Sequence, residues 1–198
     1  MSKAEATARY LIHLARTEPE PLTHLRLQKL LYYVQGYALA LLNRPLFEDA
    51  IEAWRHGPVV RSVYHVFADY EDAPLPAREG CELVHLNDEE KDFVQSVWEE
   101  HKRYSASALR EKTHNEEPWR HVWDNRPSDD RCSERIDHDL LRDFFRREFE
   151  RQRAPYIDMA KVRRAEQEAR EGHLVSLEQV AKRLGFADVL RDRPHEDC

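Results

Sequence analysis

Cysteine is scarce: Cys81, Cys132 and Cys198 stand far apart, and no two form a CxxC pair. That excludes a disulfide framework and a zinc cluster, and it suits a reducing compartment. Only five glycines occur in 198 residues. With Glu, Arg, Leu and Ala abundant, so little glycine favours helices over a sandwich or barrel. Long apolar runs are missing too. Nothing approaches eighteen apolar residues in a row, and the opening MSKAEATARYLIHLAR lacks the apolar core of a signal peptide. A cytoplasmic protein without a membrane segment is expected. Basic excess is absent as well: the net charge is −7. Residues 151–198 hold ten Lys/Arg against nine Asp/Glu, so the acidic excess lies in the first 150. Phosphate binding rests on neutralising charge with Lys and Arg, so nucleic acid is not the expected partner.

What is present centres on Leu22–Phe67. A helix of about five turns sets Leu27, Leu30, Leu31, Val34, Ala38 and Leu41 at helical steps, with Thr23 as N-cap and Asn43 and Pro45 at its end. Residues 46–54 read as a short strand or extended segment. In Ala53-Trp54-Arg55-His56-Gly57-Pro58, Gly57 permits a turn and Pro58 suits the first position of a helix carrying Val59, Val63 and Phe67. The expected unit is a helical hairpin with an aromatic elbow.

Around it the pattern predicts a first amphipathic helix over 3–16 and an exposed Pro-rich, acidic loop over 69–80. A brief strand over 81–86 would pair with 46–54. A helix opens at the capping box Asn87…Glu90 and carries Phe93, Val97, His101 and Tyr104; a short one follows over 105–115. Glu117-Pro118-Trp119 restarts the backbone, and a last body helix spans 136–149. The chain divides into a body, 1–150, and a charged helical extension, 151–198. The extension's short stripe of Val175, Leu177, Val180, Leu184 and Phe186 is too small for a core of its own.

The chemistry sought is mostly missing. His114, Glu116, Glu117 and His121 cluster, but no HExxH, HxH or Cys-His spacing supports a metal, so capping or solvated roles are expected. His56 has no nucleophile beside it and reads as a packed histidine supporting the turn. No Gly-rich phosphate loop, GxSxG or kinase set occurs. Neither an enzyme nor a cofactor is expected. SLEQVAKRLGF (176–186) resembles the first half of a helix-turn-helix, but the chain supplies no adequate reading helix after Gly185. Aromatic and apolar residues off the main stripe of the central helix, Tyr32 with Leu39 and Leu42, suggest an interface.

The runs LQKLLYYVQGYAL, PLFEDAIEAWRHGPVV and SVY, followed by THNEEPW, resemble the Panacea domain, the SocA-like antitoxin domain also met in phage-associated GepA-type proteins. The resemblance covers roughly 5–147. It implies a mostly helical domain with a small β-element, acting as the antitoxin of a two-gene toxin–antitoxin pair by direct binding of its toxin. Leu27, Lys29, Leu30, Tyr32, Tyr33, Trp54, His56, Gly57, Pro58, Val59, Tyr64, His114, Pro118 and Trp119 match the pattern, and the resemblance makes none of them catalytic. Residues 165–186 resemble the toxin-wrapping ends of small antitoxins of the RelB and Phd type, the alternative being a helical pair folded on the body. Candidate toxin contacts are therefore Tyr32, Leu39, Leu42, Val162, Leu174, Val175, Leu177, Val180, Leu184 and Phe186. The acidic body suggests a basic toxin. A second copy of the chain and a cellular protease, to which the chain would present a bound toxin, stay open as partners. So does a DNA-binding autorepressor.

Overall fold

A computed structural model describes residues 1–20, 22–77, 85–124 and 134–153. The chain forms two compact units, Met1–Arg146 and Arg147–Cys198. The first holds α1 (Lys3–Ala15), α2 (His24–Tyr37), β1 (Ile51–Trp54), β2 (Gly57–Val60), α3 (Arg61–Phe67), α4 (Asp88–His101), α5 (Ala106–His114) and α6 (Glu117–Asp124). It also takes the start of α7 (His138–Arg153). The architecture is mostly helical with one two-stranded antiparallel sheet.

Short polar side chains start the helices where the sequence placed them. Ser2, Thr23 and Ser105 accept from the backbone of the first turn of α1, α2 and α5. Asn87 and Glu90 close a reciprocal capping box on α4. Glu90 is buried and also takes the Lys3 ammonium at 2.6 Å, tying α4 to α1. Beyond Tyr37 the central helix widens into a π-helical turn, Ala38–Leu42, and Asn43 ends it in the left-handed conformation (φ 53°).

Every residue of α2 except Leu25 is buried, because α1, α3, α4, α5 and β2 all pack against this one helix. A helix enclosed on all sides has no outer face to keep polar. That corrects the interface assigned to Tyr32 and Leu39. Tyr32 has no exposed surface and Leu39 is buried, while Leu42 is half-buried. The extra apolar residues cover further core seams. One ring anchors this centre: Phe145 of α7 meets Tyr32, Tyr33 and Tyr37 at centroid distances of 5.3, 5.9 and 4.9 Å. It lies directly on Gly36, where an added Cβ would stand 2.1 Å from its ring.

The expected helical hairpin is instead a helix, a β-hairpin and a helix. Ile51 pairs with Val60 and Trp54 with Gly57, leaving Arg55 and His56 as a two-residue loop. Gly57 takes φ 98°, open to glycine at no steric cost. Pro58 therefore lies in a strand, and the helix begins only at Arg61. The other edge of β1 is also occupied: Ala53 N–H donates to the Glu134 carbonyl and Ile136 N–H to that of Ile51. The expected strand over 81–86 falls mostly on residues 81–84, which lie outside the described ones. Within the 69–80 loop, Leu75 is buried and its N–H donates to the Leu22 carbonyl, so that segment is not exposed throughout.

Candidate partner-binding face

Three polar side chains buried in α2 hold the backbone around the hairpin. Gln28 Oε1 accepts from Val60 N–H at 2.8 Å. Lys29, with no exposed surface, donates from Nζ to the Pro58 carbonyl at 2.8 Å. Gln35 accepts from the N–H groups of Leu46 (3.0 Å) and Phe47 (3.3 Å) and donates to the Phe47 carbonyl (2.8 Å). Burial, and then the nearby Arg110 cation, pull the Lys29 ammonium well below its ordinary pKa. Gly57 closes over it: a Cβ there would meet Lys29 Nζ at 2.8 Å and Thr113 Oγ1 at 2.9 Å.

A second buried network explains THNEEPW. Glu116 is buried, and its Oε1 accepts from Tyr33 Oη (2.9 Å) and Lys112 Nζ (2.8 Å). Burial raises the Glu116 pKa, with Lys112 and Tyr33 opposing the shift. Tyr32 Oη lies buried beside this carboxyl, and burial first, then Glu116, raise its pKa well above the ordinary phenol value. Glu116 is thus a core acceptor, which corrects the solvated or capping role. Among the described residues no group of three or more His, Cys, Asp or Glu is placed to hold a metal ion.

The outer layer of this region faces solvent. His114 stacks on Trp119 (4.1 Å, 6°), Trp119 stacks on Trp123 (5.2 Å, 17°), and Trp119 Nε1 donates to the Trp54 carbonyl at 2.9 Å. Trp54 meets Tyr64 at 4.8 Å and donates from Nε1 to Glu52 at 2.9 Å. Trp54, Tyr64, His114 and Trp123 are half-buried, while Arg55, His56 and Arg110 are exposed. His56 therefore stands at the loop tip, not packed beneath the turn as expected. Burial, then Arg110, Lys29 and His56, lower the pKa of His114 to about 4. Burial, then Arg110, Arg55 and Lys29, lower that of His56. Each charged neighbour that acts on these two imidazoles is itself a cation.

Among the signature residues, Leu27, Leu30, Tyr33, Val59, Pro118 and Trp119 are core, while Lys29, Gly57 and Pro58 meet at the hairpin. Gln28, Gln35 and Gly36 escaped the sequence reading. A signal existed for two of them: Gln28 and Gln35 are seven residues apart, two helical turns, inside an otherwise apolar helix. Val162, Leu174, Val175, Leu177, Val180, Leu184 and Phe186 lie outside the described residues.

The comparisons agree with this layout. Antitoxin SocA of Caulobacter vibrioides (strain NA1000 / CB15N) is 42% identical over 65 residues, which are 33% of this chain and 35% of SocA. The match thus spans about a third of that relative. No solved structure matches significantly. The family model described as "Antitoxin SocA-like, Panacea domain" matches residues 27–120, a narrower span than the resemblance suggested. It runs from α2 to the start of α6 and takes in both buried networks. Over residues 27–120 this chain is similar to the SocA-like Panacea domain.

Proposed function

We propose that this chain is an antitoxin that neutralises a cognate toxin by direct protein–protein binding, with no bond made or broken. The supporting observation is the likeness to the SocA-like domain together with a half-buried aromatic face beside Arg55 and Arg110, which have no ion pair among the described residues. Among the described residues Met1 and Val66 are the only large apolar side chains classed as exposed. Binding energy must then come from side chains that are partly wet in the free protein, and Trp54, Tyr64 and Trp123 are of the types that dominate interface hot spots. The extension 151–198, with Val162, Leu174, Val175, Leu177, Val180, Leu184 and Phe186, supplies a second contact in this reading.

The test is co-expression with the product of the adjacent gene. That product alone should arrest growth, and this chain should restore growth and co-purify with it at a fixed ratio. Trp123→Ala should weaken the complex about tenfold, the loss of one aromatic anchor. An adjacent product that is harmless, or rescue without complex formation, would refute the proposal. Rescue that disappears in a protease-deficient host would favour the adaptor alternative.

A further inference from the structure

Two arginines at the hairpin tip, Arg55 and Arg110, flank the imidazole of His56 without the acidic partner that several other surface arginines have. Arg9, Arg103, Arg120 and Arg142 each lie within ion-pair distance of an acid three or four residues before or after them, Glu5, Glu100, Asp124 and Asp139. Arg55, His56 and Arg110 make no ion pair among the described residues, although the chain as a whole is acidic. The acid on the adjoining strand, Glu52, is buried and already engaged by Trp54 Nε1 and, at 3.9 Å, by Arg61. Alongside, Nε2 of His114 is buried without a hydrogen-bond partner, its ring fixed by the Trp119 stack.

We propose that this tip, Arg55, His56 and Arg110 beside Trp54 and Trp123, grips an acidic segment of the partner polypeptide that carries an aromatic or aliphatic side chain next to its carboxylates. The inference rests on the antitoxin reading and names the chemistry of the surface bound there. Guanidinium groups hold carboxylates through paired, directional N–H bonds, and the adjacent indoles give an apolar neighbour a plane to cover. Charge complementarity selects such a segment, because each bare cation would otherwise lose water without gaining a partner. It reverses, for this face alone, the basic partner suggested by the net charge.

A second copy of the chain fits less well. A two-fold contact through this face would set Arg55 and Arg110 against like charges. A two-fold pair that set each tip against the other copy's acidic α4 would show as self-association that charge reversal at the tip abolishes.

Anisotropy titration of the full chain with a short fluorescein-labelled peptide alternating Glu and Phe, and with its Lys–Phe twin, tests the proposal directly. The Glu–Phe peptide should bind about tenfold tighter, with a preference that shrinks as salt rises. His56→Glu combined with Arg110→Glu should erase the preference, and Glu100→Lys on α4 should leave it. Equal binding of the twins, or a preference that survives the double reversal, overturns the inference. So does self-association that the double reversal abolishes, since that would assign the face to a second copy. If the adjacent gene product binds wild type and double variant equally, the acidic contact is wrong while the antitoxin reading stands. If it binds neither, that reading fails and the peptides still decide the chemistry of the tip.

Discussion

At the scale of single residues, the domain depends on a few positions whose roles are not interchangeable with those of their neighbours in the chain. Gly36 is one. The Phe145 ring occupies the space of its missing side chain, so Gly36→Ala must displace an aromatic wedged among three tyrosines. The expected cost is about 1–3 kcal/mol of overpacking, read as a lower urea midpoint at unchanged slope. A variant as stable as the parent would place Phe145 elsewhere. His101 is another. It is buried, its Nδ1 faces the Val97 carbonyl at 2.9 Å and its ring stacks on Tyr33 at 4.2 Å. Burial holds its pKa at about 4, against the Val97 contact and helped by Lys112 and Arg103. The unfolded state therefore binds the proton first as the pH falls, so stability is full above pH 6.5 and drains away toward pH 4. His101 alone accounts for about 3 kcal/mol of that loss. His101→Leu should flatten the stability–pH curve between pH 4 and 6.5. His24 and His114 add slope of the same sign, and Glu116, whose pKa is raised, opposes it. An unchanged slope in chemical denaturation across that range would refute the assignment.

Among the secondary-structure elements, α4 shows a local rule acting at long range. Asn87 accepts from Glu90 N–H at 2.9 Å while the Glu90 carboxylate reaches back to Asn87 N–H and across to Lys3. Asn87→Ala should cost about 0.5–2 kcal/mol, the usual worth of an N-cap, seen as a lower melting temperature. Glu90→Ala should cost more, because it also removes the acidic partner of Lys3; equal losses would mean that the α1 link contributes nothing. The β-hairpin teaches the opposite lesson. Val59, Val63 and Phe67 do fall at helical spacing, and Pro58 is a good helix starter. The antiparallel ladder from Ile51 to Val60, fixed from behind by Gln28 and Lys29, takes Gly57–Val60 into the sheet regardless. Contacts distant in sequence outweighed a local preference of under a kcal/mol per residue. Trp54 follows from the same geometry: it ends the strand half-buried and is available to a partner.

For the whole molecule, the chain divides after Arg146 into two compact units, and in the proposed reading the extension binds toxin without being needed for the fold of the body. Removing residues 154–198 should weaken toxin binding by far more than it lowers the melting temperature, measured by calorimetry beside a titration with the adjacent gene product. Unfolding of the truncated chain, with unchanged affinity per folded molecule, would make the extension part of the core. Charge is laid out at this scale too. Acids crowd α4 and the stretch after α3, whereas Arg55 and Arg110 stand at the hairpin tip with no acidic partner among the described residues, so one net charge describes neither surface.

The sequence by itself determined the helical class, most helix starts and the Panacea signature, because N-caps, capping boxes and 3.6-residue periodicity are local and act wherever they occur. It also singled out Trp54, Gly57, His114 and Trp119. Only the tertiary structure decided what faces solvent. Tyr32 and Leu39 became core because α2 is enclosed on every side, and His56 became surface because the turn it occupies joins two strands. Burial is set by which elements meet, and the order of residues along one helix does not contain that information.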